Sequence, residues 1–376
     1  MSGARDLHSM QQDDPLIVAE RAKESRLVEI RREAESKGRV IGPGVRLPGA
    51  PFPVASPETG YYGIPLLKQP QWTWEIPLYF FVGGAAASAA VIGAMANLTG
   101  RDEKIARDAR FVAAAGTALS SGLLIADLGR PSRFLAMLRV FKPQSPISMG
   151  AWVLAAFGTF SGGAAIAQAL DEKYDIGIIR VLGNVAEAGS LVFALPFSNY
   201  TGVLIGATVI PVWNHNIKTL PVHFGMSGLN SGVSVLELLG HERSRALNVL
   251  GMGAAAMETY EGYHVELKRD PHVNAPLKHG VSGWITRVGG VLSGPVPLAL
   301  RVAASFMGSG KSRQLRKVAA WSSIAGSILT RYGWVQAGHV SAKDWKIPLQ
   351  KKGVKLTKQD AQLQSIGEFP RMKASG

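Results

Sequence analysis

Charged residues beside apolar runs are the parts of this sequence that could handle protons. Residues 127–152, DLGRPSRFLAMLRVFKPQSPISMGAW, place Asp127 and Arg130 at the joint between two apolar runs. A carboxylate and a guanidinium at such a joint can pair with each other, or they can serve protons and a polar head group at a membrane edge. Glu75, in WTWEIPLYF, opens the preceding apolar run next to Trp74. The sequence therefore predicts either an interfacial Glu75 or a polar site that it shares with Asp127.

Four other charges lie deep inside apolar runs: Glu187, Glu258, Glu261 and Arg331. Ionisable groups are costly in hydrocarbon, so such residues are candidates for function by default. Two interpretations stay open, a proton path and purely structural pairing.

The sequence lacks the ligands that a metal site or a haem within the membrane would need. The chain has no Cys, which excludes disulfides, thiolate-held iron–sulfur clusters and Cys-based zinc sites. A membrane-spanning b-type haem needs two His on facing helices, whereas the His residues here fall at or beyond the expected helix ends or in loops. We therefore predict no metal site and no haem, so that a redox role would need a diffusible organic carrier.

The elements that must position these residues are long apolar runs. A spanning helix needs about 20 mostly apolar residues, and eight runs qualify. They lie near 74–98, 108–127, 148–170, 180–212, 221–240, 245–265, 283–307 and 317–338. The fourth is too long for one straight helix and contains Pro196, so we expect a break or kink there, or two short passes. Small residues in several runs favour a tightly packed bundle.

The flanks of the apolar region are polar. Residues 1–70 form an extension with a charged helix near 15–37 and a Pro/Gly-rich linker, the membrane domain covers 72–340, and 341–376 form a basic tail. The net charge of +14 could indicate nucleic acid, but basic residues in tails and short connections fit membrane flanks better. We expect a multi-pass protein of the cell inner membrane, embedded in the lipid bilayer and not binding nucleic acid, with both termini in the cytoplasm.

Four ordered motifs resemble those of one family. They are WTWEIPLYFFVGGAAASA, DLGRPSRFLAMLR with SPISMGAWVL, YTGVLIGATVIPVW and LTRYGWVQAG. Together they are similar to the membrane subunits of the NrfD/polysulfide-reductase family, from about residue 72 to 340. The resemblance implies an all-α integral membrane protein of about eight helices in two four-helix bundles, which binds a quinone or quinol near one membrane face.

The resemblance also implies partners. Electrons would pass to or from a four-cluster ferredoxin-like iron–sulfur subunit, and onward to a molybdopterin catalytic subunit or a multihaem cytochrome. The quinone could be menaquinone or ubiquinone. The chain would then be a subunit of an electron-transfer oxidoreductase complex.

Site residues follow from the same resemblance. Tyr200 of the YTG motif matches a tyrosine that hydrogen-bonds a quinone oxygen, with Asn199 and Gly202 beside it. Glu75 and Trp74 match the mouth of the site. Asp127 and Arg130 match the motif at the end of the second span, and with Glu75 they form the expected catalytic set. Some members place Asn or His in the first span, where this chain has Glu75.

Two other functions remain possible from the sequence. A secondary transporter would also show broken spans and buried charges, such as SGPVP in the seventh span, but it should show repeated halves, and no convincing repeat is present. A purely structural membrane anchor would need neither Tyr200 nor Asp127.

Overall fold

A computed structural model describes most of the apolar region of the chain. The described residues are 67–100, 102–128, 132–267 and 271–344, with 25, 26, 28, 29 and 32. Arg130, the Pro/Gly-rich linker and nearly all of the basic tail lie outside these ranges, so the predictions made for them have no structural counterpart. Residues 70–341 form one compact unit.

Helices account for the fold of this unit, and the described residues contain no strand. The all-α prediction is therefore confirmed. Within residues 67–344 the structure describes nine longer helices: α1 (Glu75–Thr99), α2 (Glu103–Asp127), α3 (Pro146–Tyr174), α4 (Gly177–Gly206), α5 (Leu220–Leu236), α6 (Arg245–Leu267), α7 (Gly280–Ser293), α8 (Pro295–Ser305) and α9 (Ser309–Lys343). Shorter helical segments are Ser132–Met137, Pro211–His215, Ala275–Lys278 and the π-helical turn Glu237–His241 that continues α5.

Among the described residues, five helical segments are long and apolar enough to cross a membrane. They are α1, α2, α3, α4 and the α7–α8 pair, counted as one segment. The chain is thus a multi-pass membrane protein. The other predicted spans correspond to α5, α6 and α9, and eight crossings in two four-helix bundles stay a prediction. The inner membrane and the side of each terminus likewise stay predictions.

Local signals explain where several helices begin and end. Ser145 caps α3 by accepting a hydrogen bond from the Ser148 amide, and Pro146 occupies the first turn, where its missing N–H costs nothing. Gly100 ends α1 with φ of 62°, a left-handed conformation that glycine adopts readily.

Helix α1 lies at the centre of the unit and packs against α2, α4 and α5. In its most apolar window 72% of residues are buried, against 28% or less in the windows of α2, α3 and α4. Small side chains make this possible: a Cβ on Gly84 would lie 3.3 Å from the Gly228 Cα of α5. In lipid the hydrophobic effect does not drive helices together. Close approach of the backbones increases the van der Waals contact that holds the helices together.

Two interruptions were predicted, one at Pro196 in the fourth run and one at SGPVP in the seventh run. Helix α4 runs without interruption through Pro196, so the alternative of two short passes is wrong. The long fourth run is divided further along, because α4 ends at Gly206 and a new helical segment begins at Pro211. The seventh run is interrupted as SGPVP indicates, since Gly294 separates α7 from α8 with φ of −101° and ψ of −95°.

Candidate functional site

Glu75 and Asp127 come together at one end of the bundle. Helices α1 and α2 pack antiparallel, so the first residue of one lies beside the last residue of the other. Thr73 lies between them: its hydroxyl donates a hydrogen bond to Glu75, and its backbone and side chain interact with Asp127. Both carboxylates are half-buried. The structure thus brings together two of the three residues in the predicted catalytic set.

Aromatic rings form a cluster about one helical turn further into the bundle than this acidic pair. Tyr79 is fully buried, and its ring centroid lies 6.4 Å from that of Phe197. Phe197 in turn stacks on Tyr200, with 6.3 Å between centroids and 11° between planes. Tyr79 is absent from the predicted site set, although its place one turn after Glu75 on α1 is a signal that could have identified it.

The hydroxyl of Tyr200 is already engaged within the protein. It donates to the backbone carbonyl of Pro146 at 2.6 Å. The ring occupies a space that only glycine leaves open, since a Cβ on Gly150 would lie 1.9 Å from its Cζ. Any hydrogen bond from Tyr200 to a ligand must therefore replace the bond to Pro146.

The other predicted binding residues have mixed surroundings. Trp74 is 57% exposed, and its carbonyl accepts a hydrogen bond from Tyr332 at 3.0 Å. Asn199 donates to the Leu195 carbonyl of its own helix at 3.3 Å. A Cβ on Gly202 would lie 2.4 Å from the backbone oxygen of Leu220, so this glycine serves close helix packing.

Glu187 lies in a cluster near the opposite end of α1 and α2. Arg110 forms a salt bridge with it at 2.8 Å, and Asn97 also hydrogen-bonds its carboxylate. Arg110 is 17 residues before Asp127, which places the two about 25 Å apart along the helix. A cavity about the size of one water molecule adjoins the salt bridge and is also lined by Ser161 and Ser190.

Glu258 and Arg331 lie together in a second cluster, between α5, α6 and α9. The Glu258 carboxylate accepts from Asn230 Nδ2 at 3.2 Å and interacts electrostatically with Arg331. Arg331 donates to Ser227 Oγ at 2.7 Å and to Ser327 Oγ at 2.6 Å. All five side chains are buried.

Glu261 is 7% exposed and lies three residues after Glu258 on α6. The structure thus brings Glu258 and Arg331 together, whereas Glu187 belongs to a different cluster.

Sequence reasoning missed a third buried charge pair. Arg301 of α8 donates to Glu237 at 2.6 Å, and neither side chain has exposed surface. A Cβ on Gly251 would lie 2.5 Å from the Arg301 Cζ, so glycine makes room for the guanidinium. The signal was available, because each residue lies several positions inside an apolar run, where a lone charge is costly.

Part of the chain matches a known protein family. Residues 66–248, just under half of the chain, match the family described as polysulphide reductase, NrfD. This NrfD segment contains the acidic pair, the aromatic cluster and helices α1 to α5, whereas the LTRYGWVQAG motif lies beyond it.

One curated relative of the NrfD segment is the C subunit of polysulfide reductase from Wolinella succinogenes. Identity is 30% over 187 residues, which is 45% of this protein and 58% of that subunit. The resemblance predicted from the motifs is therefore confirmed over residues 66–248, and the chain spans somewhat more than half the length of this relative.

Proposed function

We propose that this chain is the quinone-binding membrane subunit of an electron-transfer oxidoreductase complex. The observation that carries the proposal is the pair Glu75 and Asp127 beside Thr73, with the buried ring of Tyr79 one turn along α1. From Tyr79 the aromatic cluster continues through Phe197 to the half-buried ring of Tyr200. The match of residues 66–248 to the NrfD family supports the proposal. An apolar space for a ring that ends in half-buried carboxylates is the arrangement that this chemistry requires.

The residues at this end fit a quinone. Aromatic rings on α1 and α4 supply flat apolar surface, and the acidic pair supplies hydrogen-bonding groups at the aqueous edge. A quinol, when bound, supplies two electrons and two protons. The two half-buried carboxylates beside Thr73 offer acceptors at the aqueous edge for the protons that the ring releases.

Each side chain has a distinct role in the proposal. Asp127 and Glu75 accept protons at the edge of the membrane and pass them to water. Tyr200 orients the ring by exchanging its hydrogen bond to the Pro146 carbonyl for one to a ring oxygen. The exposed indole of Trp74 forms one wall of the entrance.

Electron transfer requires a companion protein, because a chain with no Cys holds no thiolate-ligated cluster. We propose a four-cluster ferredoxin-like subunit, followed by a molybdopterin subunit or a multihaem cytochrome. It would dock at the membrane face of the acidic pair. Arg139 and Lys142 are exposed in the connection that follows α2 and could pair with an acidic surface there.

Quinone binding by the full-length chain in nanodiscs tests the proposal. Titration with a menaquinone analogue should quench tryptophan fluorescence, because Trp72 and Trp74 flank Glu75. We expect Tyr200→Phe and Asp127→Asn to weaken binding about tenfold, the loss of one hydrogen bond to a buried partner. Glu266→Gln is the matched control, since Glu266 pairs with Arg287 on the surface. No binding by the wild type would favour a purely structural anchor, and unchanged affinity in both site variants would show that the quinone does not bind at these residues.

A further inference from the structure

Helix α5 has one continuous polar face inside the protein. Its members are spaced three or four residues apart, which puts them on the same side of a helix, and none has exposed surface. They are Ser227, Asn230, Ser231, Ser234 and Glu237. Each of these buried polar groups needs a hydrogen-bond or charged partner, because an unpaired polar group in hydrocarbon costs several kcal/mol.

The middle of the face contacts Glu258. Asn230 bridges from this carboxylate to the backbone oxygen of Ser293, at 3.2 Å and 2.8 Å. Arg331 approaches from α9, and the Ser227 and Ser293 hydroxyls face the same carboxyl from α5 and α7. Glu258 therefore meets a cation, an amide and hydroxyls, but no second carboxylate in these contacts.

The far end of the face contacts the pair formed by Glu237 and Arg301. Arg301 Nη2 donates to Ser234 Oγ at 3.4 Å, and Ser234 Oγ donates to the Asn230 carbonyl at 2.7 Å. Polar contacts thus continue from Glu237 through Arg301 and Ser234 to Asn230, which hydrogen-bonds Glu258.

Charged side chains that reach water lie one turn beyond Glu237, around the buried Glu242. The π-helical turn Glu237–His241 ends at Glu242, where Arg313 and Lys317 contact the carboxylate. The side chains of these two cations are 48% and 41% exposed. The polar face therefore extends from the aqueous surface to the membrane interior.

Several atoms along the face lack a regular hydrogen-bond partner among the described residues. They are Asn230 Oδ1, Glu237 Oε2, Glu258 Oε2 and Arg301 Nε, and all are buried. Buried water normally satisfies such groups, making about three hydrogen bonds per molecule. Water at these atoms would connect the two carboxyls.

We propose that this face is a proton path from the water beside Arg313 and Lys317, past the buried Glu242 and through Glu237 and Ser234, to the buried carboxyl of Glu258. A proton enters at Glu237 and reaches Glu258 through water and the Ser234 hydroxyl, with one O–H bond formed for each that breaks and no electron moved. Arg301 stays charged and acts as a positioning residue, since a guanidinium does not release its proton. The path stands independently of quinone binding. Glu187 is not part of it, because its contacts are with α1 and α2.

Infrared spectroscopy of the full-length chain in lipid vesicles tests the path without any quinone. The protonated carboxyl of Glu258 has a carbonyl-stretch band, which Glu258→Gln should remove. After transfer to deuterated buffer the band should shift as the proton exchanges. We expect Glu237→Gln to slow this exchange about tenfold or more, while Glu266→Gln leaves the rate unchanged.

Ser234→Ala provides a second variant in case Glu237→Gln does not fold, and circular dichroism checks the helix content of each protein. Equal exchange rates in wild type and folded path variants would overturn the proposal. So would the absence of a Glu258 band at every pH from about 5 to about 9. Failure of quinone to bind would leave these infrared results unaffected, so the two proposals fail separately.

Discussion

The Glu237 carboxylate and the Arg301 guanidinium lie 2.6 Å apart, and neither side chain has any exposed surface. Two desolvated charges in this position stabilise the fold only as a pair. A single neutralising substitution leaves the other charge buried without a partner. Replacing both residues by apolar ones leaves no buried charge.

Breaking this pair should therefore cost more than removing it. We expect Arg301→Met to destabilise the protein by about 3–5 kcal/mol, and Glu237→Leu with Arg301→Met to recover most of that loss. Thermal unfolding in a mild detergent measures both. The exposed pair of Glu266 and Arg287 is the control, where Arg287→Met should change stability by about 1 kcal/mol or less. A double variant no more stable than Arg301→Met would contradict this account of the pair.

The ring of Tyr200 depends on the absence of a side chain at Gly150. A Cβ there would lie 1.9 Å from Cζ of the ring, so Gly150→Ala should displace Tyr200 and lower the melting temperature. Gly162 lies on the same helix with nothing within 4 Å of its Cβ position. Gly162→Ala should leave the melting temperature unchanged or raise it slightly, because alanine favours helix by about 1 kcal/mol. Similar effects of the two substitutions would show that Tyr200 does not need this space.

Acid should weaken the protein through Glu242, which lies in the turn between α5 and α6. Burial tends to raise the pKa of Glu242, but a hydrogen bond from its own backbone, together with the hydrogen bond and charge of Arg313 and the charge of Lys317, leaves it below the ordinary value. The resulting stabilisation is present above the ordinary carboxyl pKa and is lost as the pH falls through the lowered one.

Melting temperatures of wild type and Glu242→Gln between about pH 7 and about pH 3 measure this contribution. We expect the variant to melt lower at neutral pH, with the difference shrinking in acid. A difference that grows as the pH falls would mean that the Glu242 pKa is raised.

The sequence determined the positions of the helices better than the arrangement of the charges. Each of the eight predicted runs overlaps a helix, because the length of an apolar run is a local property, but the fourth and seventh runs are each divided between two helical segments. A break at Pro196 was the wrong expectation, since surrounding helices can support a helix that lacks one hydrogen bond, whereas a kink there stays a prediction.

The charges depended on contacts between distant parts of the chain. Glu258 and Arg331 are 73 residues apart in sequence, and their proximity arises only when α6 and α9 pack around α5. Glu237 and Arg301 are 64 residues apart in sequence, and their pairing arises only when α5 and α8 both pack against α6.

Photoaffinity labelling tests the proposed quinone site most directly. The full-length chain in nanodiscs is irradiated with an azido-quinone, and the modified peptides are identified by mass spectrometry. Labels are expected on the segment from Trp74 to Phe80 and around Tyr200, and an excess of unmodified menaquinone analogue should suppress them. Labels confined to lipid-facing residues of α3 and α4 away from Tyr200, or labelling that the analogue does not suppress, would contradict a quinone site at the acidic pair.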